Sequence, residues 1–146
     1  MRRERTDRQR DNRNHAIEVK RAARLIDAEL LRAQAAAHIC IEKKHWWSAD
    51  VELSTEAWQK HSGTIAPDLS DRAWADVTMA LEAVDHVRGA RNAAVGAGLG
   101  TSAIPEATAD QLAPMLRDIK LGRGALAPFV FDALPPAGNS AQLPPG

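Results

Sequence analysis

Tyrosine is absent from this chain of 146 residues, and its two phenylalanines, Phe129 and Phe131, both lie near the C-terminus. The aromatic bulk is therefore four tryptophans, Trp46, Trp47, Trp58 and Trp74, three of them inside HWWSADVELSTEAW at residues 45–58. Cysteine occurs once, as Cys40, so no disulfide can form within the chain, and a reducing cytoplasm is the expected compartment. No stretch approaches the 18 or so consecutive apolar residues of a membrane span. The densest, AAVGAGLG and ALAPFVF, are short and broken by glycine or proline. The opening MRRERTDRQRDNRNH carries basic residues with no apolar segment behind them, which does not match a secretory signal. Glycine and proline are both missing from residues 1–62, so nothing there interrupts a helix.

What is present points to one small helical domain. The hydrophobic share is 45%, but much of it is alanine, which buries little area per residue and favours thin packing between helices. Ala16, Val19, Ala23, Ile26, Leu30, Ala33, Ala37 and Cys40 follow one another at alternating steps of three and four, a heptad seam. Glu18 with Arg21, Arg24 with Asp27 and Glu29 with Arg32 add helix-supporting pairs. The pattern predicts one long helix over 12–46, about 50 Å in length, which needs a partner along its course. Residues 1–11 read as a basic arm ahead of it.

Beyond the long helix the chain repeats itself, with LSTEAW at 53–58 and LSDRAW at 69–74. Both strings read as helix starts: Ser54 and Ser70 are suited to cap free backbone N–H groups, and Glu56 and Asp71 place negative charge at the positive helix ends. The first helix covers about 55–65 and ends at Ala66-Pro67-Asp68; the second covers about 71–94 and buries Ala73, Trp74, Val77, Ala80, Leu81, Val84 and Val87. That second helix is expected to pack antiparallel on the long one, completing a helical hairpin over residues 12–95. Residues 96–107 have the composition of a flexible linker, GAGLG included, since no strand precedes it and no GK[ST] follows. A loosely attached amphipathic helix is expected over 108–127, started by Thr108 with Gln111 and weakened by Pro114, Gly122 and Gly124. From Pro128 to Gly146 the chain reads as a disordered proline-rich tail. The four tryptophans are then expected to plug the closed end of the hairpin. Each buries about 200 Å², about 5 kcal/mol before entropy, and Trp74→Ala is expected to cost about 3 to 5 kcal/mol.

The long charged helix, its RAARLIDAEL segment, the WW at its end and the LSxxAW starts resemble a loose group of uncharacterised helical proteins from high-GC bacteria. The resemblance covers about residues 10–95 and implies a helical fold, with no activity attached. In some of that group a membrane-spanning helix precedes the charged helix; here Met1 stands inside the basic stretch.

Few residues carry chemistry. His38, Glu42 and His45, at steps of four and three, share one face of a continuous helix, and Glu42-x-x-His45 matches a ligand pair of di-iron bundles. The second pair such a site needs is missing, because Glu82, Asp85 and His86 have the wrong spacing. The three are therefore expected to be solvated residues at a helix end, and no metal or other cofactor is expected. Cys40 falls on the seam and is expected to be buried and inert. Zero net charge conceals a division: nine Arg/Lys against four acids leave +5 on residues 1–24, and two cations against eight acids leave −6 on residues 45–87. Arg2, Arg3, Arg5, Arg8, Arg10 and Arg13 are the candidates for anion contact, on nucleic-acid phosphates or anionic lipid at the inner face of the membrane. Glu4, Asp7 and Asp11 interrupt that run, and it holds no aromatic residue to stack on bases.

The expectation is an all-α protein without enzymatic activity, a scaffolding or interaction module. Its partner is a second copy, paired antiparallel through the long helix, or another helical protein. No small-molecule substrate is expected. The alternative is a peripheral protein whose basic arm binds nucleic acid or anionic membrane.

Overall fold

The first helix, α1, covers Arg2–Lys43, 42 residues with no helix breaker among them. In this computed structural model residues 2–131 are described, and the side chains of residues 5–131; the remainder of the expected tail, 132–146, lies outside the described residues. The boundary expected between an arm and a helix at residue 12 is absent, because arginine, glutamate and glutamine extend a helix at little cost. At the other end α1 stops at Lys43, short of the tryptophans. Lys44 turns left-handed, at φ 56°, and reverses the chain.

Three further α-helices follow among the described residues: α2 (Glu56–Ile65), α3 (Asp71–Gly96) and α4 (Glu106–Val130). A 3-10 turn at Ala66–Asp68 links α2 to α3, with Pro67 where a missing N–H costs nothing. Ser70 caps α3 as the sequence implies, its hydroxyl accepting from the Ala73 N–H at 3.1 Å. Ser54 sits one residue before the α2 cap, Thr55, and its hydroxyl accepts from the Glu56 N–H at 3.0 Å.

The fold is all-α among the described residues, a small bundle built on the long N-terminal helix. The antiparallel partner of α1 is α4, not α3. The start of α4 meets the end of α1: the Ile104 N–H donates to the Lys44 carbonyl at 2.8 Å, and Lys44 faces Glu106 at 3.8 Å. Farther along, the Arg123 guanidinium grips Asp27 through two bonds of 2.9 and 3.3 Å and donates to the Gln34 side chain at 3.0 Å. Since α4 also runs antiparallel to α3, α3 lies parallel to α1. The closest contacts are α3 with α4 and α1 with α4, while α1 and α3 meet less.

The loosely attached last helix is thus the one that holds the bundle together. Glycine and proline argue against helix locally, but the packing of α4 uses one glycine directly. A Cβ on Gly122 would stand 2.3 Å from the Ala80 Cβ, so α3 and α4 approach there as closely as two backbones allow. Burial of Ala109, Leu112, Ile119 and Leu126 outweighs the cost of Pro114, about 3 kcal/mol. The helix continues through Pro128, where the expected tail would begin, because Phe129 and Val130 pack on the core.

The expected flexible linker is a folded corner. The Leu99 N–H donates to the Ala94 carbonyl at 2.7 Å and the Gly98 N–H to that of Val95 at 3.0 Å, the paired bonds of a Schellman motif. Gly98 holds φ +77°, the value that motif requires of glycine. Ile104 at the end of the corner is buried.

On α1 the seam is buried from Val19 through Ala23, Ile26, Leu30, Ala33, Ala37 and Cys40, joined by Ala22 and Ala36. Ala16 is exposed, so burial begins one step later than the pattern implies. Alanine at three buried seam positions on α1, Ala23, Ala33 and Ala37, and at Ala80 and Ala83 on α3 is what lets the helices come close enough to bury so little bulk completely.

Candidate functional site

The tryptophans do not form a single plug. Trp46 and Trp47 meet edge to face, centroids 6.0 Å apart, just past the end of α1; Trp58 of α2 and Trp74 of α3 form a second, tilted pair at 4.9 Å. Trp47 lies against Arg91, and Arg91 is seventeen residues beyond Trp74 on α3. At 1.5 Å per residue that puts about 25 Å between the pairs. The long-range path of the chain separates them: after Lys44 it runs back beside α1, so that Ala57 donates its N–H to the Glu29 carboxylate and His15 pairs with Asp68 at 2.8 Å. The first LSxxAW repeat therefore lies beside the middle of α1, and the second starts near His15, farther still from the end that carries Trp46 and Trp47. Trp47 is buried, Trp46 and Trp58 are half-buried, and Trp74 is 39% exposed.

At the end of the bundle, Trp46 and Trp47 line an open cleft of about 700 Å³ with His45, Arg91, Val95 and the 98–101 corner. The guanidinium of Arg91 lies over the Trp47 ring, 5.1 Å from its centroid, a cation–π contact. Arg91 Nε is buried without a hydrogen-bond partner. The other arginines at the helix contacts are engaged: Arg123 on Asp27 and Gln34, Arg88 on the Leu53 carbonyl at 2.9 Å and on Asp85 at 2.7 Å. The Trp47 indole N–H donates to the Val51 carbonyl at 3.1 Å, which fixes the ring under Arg91. The Ser48 hydroxyl donates to the Asp50 carboxylate and lowers its pKa; Asp50 stands outside the cleft lining.

A second cleft, about 540 Å³, lies between α1 and residues 52–61. Much of its charge is already engaged, since Glu29 accepts from Ala57, Glu56 pairs with Lys60 at 3.0 Å and Arg88 is held as above, while Arg32 and Glu52 of opposite sign also line it.

His38, Glu42 and His45 are not brought together. All three are exposed, α1 ends at Lys43 and so takes His45 off the shared face, and the His45 Nδ1 lies 3.1 Å from the Trp46 carbonyl. Among the described residues no cluster of three metal-ligating side chains forms. Cys40 has no exposed surface, and burial pushes its thiol up to about 11. Arg5, Arg8, Arg10 and Arg13 are exposed on the free end of α1; the side chains of Arg2 and Arg3 lie outside the described residues. No described helix is long and apolar enough to cross a membrane.

Arg91 gave no signal in the sequence, because its role depends on the end of α3 arriving beside Trp47. A cation near a WW pair in space is not a pattern along the chain. Set against protein-family models, curated proteins and solved structures, the chain has no match. Fold and site place it in the class of small all-α bundles with a projecting first helix.

Proposed function

We propose that the protein is a non-enzymatic helical interaction module, which pairs with a second copy or with another helical protein through the projecting end of α1. One observation carries this reading: every side chain from Arg5 to Glu18 is exposed, all the way around the helix, whereas the seam is buried from Val19 onward. Residues 5–14, ahead of the His15–Asp68 contact, thus extend about 15 Å as helix with every side chain exposed, and isolated helices of that length are marginal in water. The extension is divided by charge. Asp7, Asp11 and Glu18, at steps of four and seven, share one stripe, and Arg5, Arg8, Arg10 and Arg13 occupy the rest of the circumference. Glu52 and Asp71 of the acidic middle are exposed and complement those arginines on a second copy in antiparallel orientation.

Analytical ultracentrifugation at tens of micromolar protein, at low and high salt, tests the pairing. Dimer at low salt and monomer at high salt is the expected result, and monomer in both would overturn it. The same four exposed arginines favour a second reading, a peripheral protein that binds nucleic acid or anionic membrane. Salt-sensitive sedimentation with anionic but not neutral vesicles, or a salt-sensitive shift of DNA, would select it. Both readings place the protein in the cytoplasm, or at the inner face of its membrane, on the ground that its single thiol needs no oxidising compartment.

A further inference from the structure

We propose that the cleft at the end of the bundle is a binding site for a small planar organic anion, an aromatic carboxylate, with Arg91 as the carboxylate receptor and Trp46 as the surface against the ring. The proposal goes beyond the pairing of α1 and stands on a different part of the molecule. Its volume, about 700 Å³, is that of a site for a small organic ligand. The lining combines two indoles with one cation, the chemistry that recognises a flat apolar body carrying one negative charge.

Arg91 decides the sign of the charge. It has no carboxylate partner and no hydrogen bond to any described residue, and its Nε is buried without an acceptor. An arginine held beside an indole and left without an acceptor retains unused donors. Glu and Asp are absent from the lining, so no resident carboxylate competes. The cation–π contact with Trp47 and the bond from that indole to the Val51 carbonyl hold the guanidinium in place before a ligand arrives. Trp46 stands at 78° to Trp47 and is half-buried, so part of its ring is open to the cleft. The corner that closes the site is fixed by the Schellman bonds at Gly98 and Leu99, and a Cβ on Gly100 would stand 2.9 Å from the Val95 side chain.

The probe pair 2-naphthoate and 2-naphthamide has the same shape and differs in charge. Calorimetric titration of the full chain, with amide NMR shifts to locate binding, should give a Kd below about 1 mM for the acid and at least about tenfold weaker binding of the amide. The shifts should centre on residues 45–49 and 91–101. R91Q should reduce the acid to the level of the amide. Equal binding of acid and amide, binding that maps elsewhere, no binding of the acid, or an unchanged acid preference in a folded R91Q protein would each overturn the proposal. The comparison of acid with amide needs only the wild-type chain, so a variant that fails to fold does not rescue the idea.

Discussion

Gly122 and Gly124 are two positions apart in the same helix, yet packing treats them in opposite ways. A Cβ at Gly122 would collide with Ala80, whereas one at Gly124 meets nothing within 4 Å. Gly124→Ala should therefore raise stability by about 0.5 to 1 kcal/mol through lower chain entropy, and Gly122→Ala should lower it by about 1 to 3 kcal/mol despite the same gain in propensity. Urea unfolding of both variants checks this, and two stabilised proteins would mean that α4 does not approach α3 as described. Among the tryptophans, burial sets the order: Trp47→Ala should cost about 3 to 5 kcal/mol, but Trp74→Ala only about 1 to 3, less than a buried plug would lose. Cys40 makes stability depend on alkaline pH. Below pH 9.0 the folded and unfolded chains both hold its proton; between 9.0 and about 11 only the folded chain does, so stability falls as pH rises through that window. The slope is at most about 1.4 kcal/mol per pH unit, and Cys40→Ala should flatten it in unfolding titrations. Near neutral pH the thiol should resist alkylation until the protein unfolds; prompt labelling of the native protein would contradict its burial.

At the scale of elements, α2 and α3 were legible in the sequence because their signals are local. Ser70 caps the helix it precedes, and Ala66-Pro67-Asp68 ends α2 through proline geometry that no distant residue alters. The standing of α4 was not legible, since Pro114, Gly122 and Gly124 lower helix propensity while the compensating contacts lie on α1 and α3. Arg123 carries much of that docking, bridging Asp27 and Gln34 with both groups partly buried. A double-mutant cycle of Arg123→Ala with Asp27→Ala should return a coupling of about 1 to 3 kcal/mol. The pair Arg24 with Asp27, read from its spacing, should return far less, because Asp27 is taken by Arg123. Equal couplings would place α4 elsewhere.

For the molecule as a whole, α1 belongs to two environments, a buried seam and a solvated extension. Hydrogen exchange on dilute, monomeric protein should show strong protection over residues 22–40 and little over residues 5–18. Protection of both alike would mean that something in the chain covers the extension. The all-α class, the presence of one long unbroken first helix and the register of its seam from Val19 to Cys40 were determined by the sequence alone, because helical periodicity acts within a few residues of each position. Only the tertiary structure decided which helix runs antiparallel to α1, how the four indoles divide into two pairs, and that Arg91 faces the Trp46/Trp47 cleft. An alanine seam fits several helices equally well. The choice fell to contacts that no spacing encodes: the backbone approach at Gly122, the Arg123 bridge, and the left-handed turn at Lys44 that sends the chain back along its own first helix.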